Sequence, residues 1–363
     1  MSDSDAPPIT GAGIEDVARA ARVSPSTVSR VLNRSFSTVA ISEATAERVR
    51  MAAATLRYRP NAAARSLRTT KTQTVGVIMR DLLHPFSAEF SRAFYAVCRA
   101  RGYHVLMGNA SSSAEEGWTL GDILSPDRVD GILLLGDLFP SMPSHEGMAT
   151  FVRDHHHVVA VGCRPSLAGE VAMSVDNGRG VTLGLEYLLA MGHRSIAYIG
   201  PTQPPMSWEE EQRWDAYGRF MEAHGLPWDP DQASVMGGND LAAAQKALQR
   251  ILSAPARVTA ACVINDTSAL LLLKAALSSG LRVPEDLSLI GFDGLQMAEL
   301  STPGLTTVCQ PIESMGRYAA TLLLDRIGAV VLQATPPDGA AGTNPVVFSP
   351  TLVCRESVCS LHA

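Results

Sequence analysis

The sequence has no apolar run near the ~20 residues that a membrane-spanning helix needs, so it offers no candidate for one. Its opening stretch, MSDSDAPPITGAG, carries acidic residues and no apolar centre, which is not the pattern of a secretory signal. Cysteine is sparse: six in 363 residues, at 98, 163, 262, 309, 354 and 359, without metal-type pairing. Even the nearest pair, Cys354 and Cys359, lacks a cluster of further Cys or His beside it. Reduced thiols in a cytoplasmic protein are the expectation. There is no GxxxxGK[ST] phosphate loop, no GxGxxG after a strand, no GxSxG elbow and no HxxxH helix, so nothing argues for an enzyme or a cofactor. The run His155-His156-His157 does not make a metal site, because three adjacent side chains point in different directions and have no further ligands at suitable spacing. Trp208, Trp214 and Trp228 read as packing residues rather than a cofactor box.

Basic residues are scarce over most of the chain and concentrated at one end. Residues 11–74 hold eleven Lys and Arg against four acids, a net +7, while residues 75–363 carry a net −11. A small basic module on a large acidic body suggests a head that binds a polyanion.

Within the head, Ile14, Val17, Ala18 and Ala21 follow helical i, i+3, i+4, i+7 spacing. Ser24 then offers an N-cap oxygen and Pro25 a preset first helical position. Val28, Val31 and Leu32 supply the buried face of the second helix, leaving Pro25, Ser26, Ser29 and Arg30 on its polar face. Two short helices joined by a tight turn make a helix-turn-helix or an ordinary helical hairpin. In the first case, the N-terminal residues of the second helix read base edges, and an arginine there can bond guanine bidentately. Thr27 and Asn33 suit phosphate and helix-end contacts. A third helix starts at the cap Ser42 with Glu43 at its positive end, and turns Val49, Ala53 and Leu56 inward.

The stretch RPNAAARSLRTT, residues 59–70, holds only about two turns of helix formers, too few for a stable helix in water. Pro60 ends the third helix and Asn61 can cap a new one running to about Leu67, flanked by Arg65 and Arg68. It is either a flexible tether or a helix that forms only against a partner.

From Thr74 onward, short apolar runs alternate with amphipathic stretches. The strand candidates are TVGVIM, HVLMGN, GILLL, VVAVG, VAMSVD, SIAYIG, ASVM, AACVIN, LSLIGFD and LTTVCQ. Strand–helix–strand repetition means parallel sheets covered by helices on both faces, and ten strands suit two such sheets. Ligands in such sheets lie at the carboxyl ends of the strands. Those ends carry Asp81 with His84 and Phe86, Asn109, Asp137, Arg164, Asn265 with Asp266, and Phe292 with Asp293, and Arg213 opens the helical RWDAYGRF. Hydrogen-bonding groups of both signs beside an aromatic face suit a polyol or another polar metabolite.

The stretch DVARAARVSPSTVSRVLN, followed by SEATAERVRMAAATLRYRPNAAARSLRTTKTQTVGVIM, closely resembles the lactose/galactose-repressor (LacI/GalR) family of bacterial transcriptional regulators. The resemblance runs from about residue 14 to 358. It implies that Pro25, Ser26 and Arg30 face bases, that Leu67 belongs to a hinge helix, and that Arg213, Asn265 and Asp293 contact an effector. Three features depart from the family pattern. Gly13 stands in place of a Thr cap, Arg22 in place of a turn glycine, and NRSFSTVAIS makes a longer loop before the third helix. Asp240 falls near where relatives place an aromatic that stacks on the ligand.

The expected architecture is α/β. Residues 11–58 form a three-helix helix-turn-helix domain, 59–73 a hinge helix and linker, and 74–363 a core of two doubly wound parallel-sheet subdomains of the periplasmic-binding-protein type. The subdomains are expected at about 74–166 with 311–335, and about 167–310 with 345–360, with crossovers near Pro165, Pro311 and the loop ATPPDGAAGTNP. The expected function is transcriptional regulation, most readily repression, by a cytoplasmic homodimer on a near-palindromic operator, controlled by a small sugar-like metabolite. DNA contacts are expected from Pro25, Ser26, Thr27, Ser29, Arg30, Asn33, Asn61, Arg65, Leu67 and Arg68. Effector contacts are expected from His84, Phe86, Asp137, Arg213, Asn265, Phe292 and Asp293, with no metal and no cofactor. The ending SPTLVCRESVCSLHA carries no leucine heptad, so no coiled-coil tetramer is expected. Two rival classes are a solute-binding protein without DNA function and an α/β enzyme. The basic head argues against the first, and the missing nucleophile and cofactor motifs against the second.

Overall fold

A computed structural model describes residues 12–33, 41–58, 71–110, 114–137, 155, 157–163, 171–203, 206–228, 240–331 and 346–361. The chain divides into two compact units, Met1–Thr72 and Gln73–Ala363.

The described part of the first unit is three helices: α1 (Ile14–Ala21), α2 (Pro25–Asn33) and α3 (Glu43–Thr55). Gly13 has no side chain to cap α1, and its N–H instead donates to Asp16 Oδ2 at 2.9 Å. Arg22 takes the left-handed conformation, φ 54° and ψ 47°, where the chain turns towards α2. Ser24 Oγ accepts from Thr27 N–H at 3.2 Å, and Ser42 Oγ from Thr45 N–H at 3.3 Å. Val17, Ala18, Ala21, Val28, Val49 and Ala53 form the buried centre, with Val31, Leu32, Leu56 and Tyr58 packed against it.

In the second unit, one sheet comprises β1 (Thr74–Met79), β2 (His104–Asn109), β3 (Gly131–Leu135), β4 (Val158–Val161), β5 (Val171–Val175) and β10 (Val346–Phe348), in the order β10-β5-β4-β3-β1-β2. The other comprises β6 (Ile196–Ile199), β7 (Ala260–Val263), β8 (Ser288–Asp293), β9 (Thr306–Cys309) and β11 (Thr351–Val353), in the order β11-β9-β8-β7-β6. All neighbours run parallel except β11, which lies antiparallel to β9. Strands such as β3, β4, β7 and β8 are buried end to end, which is why they read as unbroken apolar runs rather than alternating ones. Helix α4 (Pro85–Ala100) packs along α11 (Ile312–Val331) on the first sheet through Phe90, Phe94, Met315, Ala319 and Leu323; α5 (Ala114–Ile123) follows β2, and the short α10 (Gln296–Leu300) follows β8.

Two boundaries differ from expectation. Strand β5 lies in the first sheet, between β4 and β10, although a boundary near 166 would assign it to the second subdomain. The chain therefore changes sides at Asp176, the N-cap of α6 (Asn177–Ala190), and not at Pro165. Strand β10 also joins the first sheet, so the last crossover falls between Phe348 and Thr351. The apolar runs on either side of Pro165 are alike, and only their pairing partners, distant in sequence, decide where they belong. Strands β10 and β11, three residues each, were not among the expected strands, and the candidate ASVM lies outside the described residues.

Candidate functional site

The carboxyl ends of β1, β3 and β4 open into the same cavity as those of β7 and β8, closed on one side by the start of α7 (Trp208–Ala223). The cavity is about 480 Å³. Arg213 lines it and is only 6% exposed. Its Nε donates to Asn177 Oδ1 at 2.8 Å and its Nη1 to the Ile264 carbonyl at 2.7 Å, which leaves Nη2 for a guest. The guanidinium carbon lies 3.7 Å above the centre of the Phe292 ring, a cation–π contact. Gly180 makes that ring position possible: a Cβ there would come within 2.7 Å of Phe292.

Asp293, 3% exposed, lies 3.9 Å from Arg213 Nη1 and accepts from Gln310 Nε2 at 2.8 Å. Its φ of 121° is outside the range that non-glycine residues favour, a local cost characteristic of functional sites. Burial raises its carboxyl pKa, and Arg213 opposes the rise without cancelling it. Beneath it, Asp266 accepts from Gly294 N at 2.9 Å, Leu295 N at 2.7 Å and the Thr307 hydroxyl. Burial, and then the neighbouring Asp293, push the Asp266 carboxyl up to about 7.

Of the seven expected effector residues, His84, Phe86, Asp137, Arg213, Asn265 and Asp293 line this cavity. His84 also caps α4, its Nδ1 accepting from Phe86 N–H at 3.3 Å. Asn265 caps α9 (Asp266–Ser278) through Oδ1, 2.8 Å from Ser268 N. Phe292 does not line the cavity and stands behind Arg213, 3% exposed. It precedes Asp293 on β8, and successive side chains leave a strand on opposite faces, so one expectation could not serve both. Asn109 accepts from Leu82 N–H at 2.7 Å and does not line the cavity, Asp266 lies below it, and Arg164 is outside the described residues. Asp240, exposed, caps α8 (Leu241–Leu252) by accepting from Ala243 N–H at 2.8 Å.

Several lining residues were missed: Arg80, Ser87, Ser207, Glu209, Glu210 and Gln310. Signals for some were present. Ser207 and Glu210 in SWEEEQR form a capping box, with Ser207 N–H donating to Glu210 Oε2 at 2.6 Å, and Gln310 ends the run LTTVCQ. Arg80 lies 3.8 Å from Glu210, so first-sheet and second-sheet residues meet across the cavity.

In the head, Pro25 and Ser26 are exposed at the start of α2, while Thr27, Ser29 and Arg30 are partly buried. The Thr27 hydroxyl lies 2.9 Å from Ser24 Oγ. Asn33 ends α2, and Asn61, Arg65, Leu67 and Arg68 lie outside the described residues.

Residues 13–61 match the bacterial regulatory proteins of the lacI family, and residues 185–358 match the periplasmic binding protein-like domain. The HTH-type transcriptional repressor CytR of Escherichia coli strain K12 is 32% identical over 322 residues, 88% of this chain and 90% of its own. This chain belongs to the lacI family. LacI-family proteins are DNA-binding transcriptional regulators, and the chain is a regulator, not an enzyme. Among solved structures, the transcriptional regulator CelR in complex with cellobiose is 30% identical, with a TM-score of 0.65 over 95% of this chain and 99% of that one. The lac repressor dimer bound to operator and the anti-inducer ONPF, 24% identical, shares the LacI-family fold with a TM-score of 0.79 over 97% of this chain and 100% of that one. Among the described residues, no helix is long and apolar enough to cross a membrane.

Proposed function

We propose that this LacI-family regulator is a cytoplasmic homodimer that represses transcription from a near-palindromic operator. A small, uncharged or basic polar metabolite of sugar-like chemistry, bound in the cavity around Arg213 and Asp293, alters its operator affinity. The observation that carries the reading is the cavity itself: a buried guanidinium, fixed by Asn177, Ile264 and Phe292, presents an open nitrogen beside a buried carboxylate. Such fixed donor–acceptor pairs suit hydroxyl groups. The cellobiose held by CelR supports the sugar-like class, and the dimeric lac repressor on its operator supports the dimer.

On this reading, Pro25, Ser26, Ser29 and Arg30 read bases, Thr27 and Asn33 meet phosphates and helix ends, and the hinge residues Asn61, Arg65, Leu67 and Arg68 order on DNA. Leu67 would enter a base step as an apolar wedge. His84, Phe86, Asp137 and Asn265 complete the effector contacts, with Phe292 acting through Arg213.

A thermal-shift screen of neutral and amino sugars against the full-length protein tests the effector site. A true effector at ~100 times its dissociation constant stabilises by roughly 2.7 kcal/mol. The reading expects that stabilisation in the native chain and its loss in Asp293→Ala. A ligand that stabilises both equally binds elsewhere and refutes the site.

A further inference from the structure

The lining of the cavity is unbalanced in charge. Asp81, Asp137, Glu209, Glu210 and Asp293 face two guanidiniums, Arg80 and Arg213. Arg80 is matched to Glu210, while Arg213 serves both Asp293 and Glu209, which makes no direct ion pair among the described residues. Its carboxylate lies against the backbone at Gly162, where a Cβ would approach within 3.0 Å, and Gly162 itself needs its φ of 71°. That position brings a second-sheet acid to the end of a first-sheet strand. Burial pushes the Glu209 carboxyl up, with Arg213 and, more weakly, a hydrogen bond from the Asn177 side chain opposing. Also in the lining, Gln310 Oε1 is buried and has no hydrogen-bond partner among the described residues, while the amide nitrogen of the same side chain is held by Asp293. The lining therefore carries more carboxylates than guanidiniums, with one unpartnered acceptor at Gln310. A partly buried carboxylate that shares one guanidinium with a second acid is incompletely neutralised, and a hydroxyl relieves that less than a cation does.

We infer that Glu209 selects the effector by charge, and that the site takes an amino-substituted sugar or similar amino-polyol with its protonated nitrogen against the Glu209 carboxylate. Phosphorylated and carboxylated sugars are rejected, because the five carboxylates of the lining outnumber its two guanidiniums and repel an anion. This inference rests on the effector reading of the cavity.

The test is thermal shift and calorimetric titration of the full-length protein with matched probes. Each hexose and pentose is presented as the parent sugar, the amino-deoxy sugar and the sugar phosphate. For the native chain, the best amino sugar should bind about tenfold or more tighter than its parent, the scale of one charge-assisted hydrogen bond, and its phosphate should not bind. In Glu209→Gln that advantage should shrink to nearly nothing while the parent sugar still binds. Native binding that favours a parent or a phosphate, or a Glu209→Gln chain that keeps the advantage, overturns the inference but leaves the effector site standing if Asp293→Ala abolishes binding. A panel in which nothing binds the native chain removes the effector reading and the inference with it.

Discussion

At the scale of single residues, function rests on groups that the fold holds in costly states. Asp266 is the clearest. Its folded pKa of about 7 is above the ordinary carboxylate value of 3.8. Between those values the native state keeps a proton that the unfolded chain has released, so this residue's contribution to stability is full below about pH 4, falls as pH rises, and is constant above about 7. Melting curves of the native chain and Asp266→Asn should therefore converge or cross as pH rises through that window, with the native chain losing ground; parallel curves would show that Asp266 is ionised throughout. In the head, Arg30→Ala should weaken specific operator binding by roughly 1–3 kcal/mol and blur discrimination at one base position. Equal weakening on specific and random DNA would make Arg30 a phosphate contact. Much of the cavity was legible at this scale because strand ends announce themselves in sequence. Phe292 was misplaced because adjacent strand residues were read as one site, and Glu209 was missed because three consecutive glutamates look like an ordinary charged helix start.

At the scale of elements, α1, α2 and α3 were legible from their caps and apolar spacing, since those signals are local. The left-handed turn was legible as well, and Arg22 occupies it where glycine is cheaper. Arg22→Gly should stabilise the head by up to about 1 kcal/mol, read as slower amide exchange across residues 14–33 of the full-length protein. Unchanged or faster exchange would mean that the arginine makes contacts that offset its strain. The membership of β5 and β10 in the first sheet was not legible, because it depends on pairing with strands far away in sequence. For the stretch 59–70, outside the described residues, hydrogen exchange at residues 61–67 should slow on operator DNA and not on random DNA. Equal protection on both would make it a tether.

At the scale of the molecule, the chain joins a basic DNA-binding head to an acidic α/β core, and the regulatory question is how the two communicate. A metabolite in the core can change DNA affinity only by favouring one of two arrangements, and the coupling acts equally in both directions. Arg80 and Glu210 meet across the cavity at 3.8 Å, so its two walls share contacts that a guest could strengthen or break. The charge division between head and core was plain in the sequence, but the direction of the response was not, because it depends on which arrangement the ligand prefers. The most direct test is retardation of DNA from the gene's own upstream region at ~100 mM salt, a condition to be stated because phosphate contacts are salt-sensitive. It should be run for the native chain and Asp293→Ala, with and without the metabolite that stabilises the core. The account predicts specific retardation by both proteins and a metabolite-dependent change in the native chain alone. Equal retardation of specific and random DNA, or a metabolite response that survives in Asp293→Ala, would contradict it.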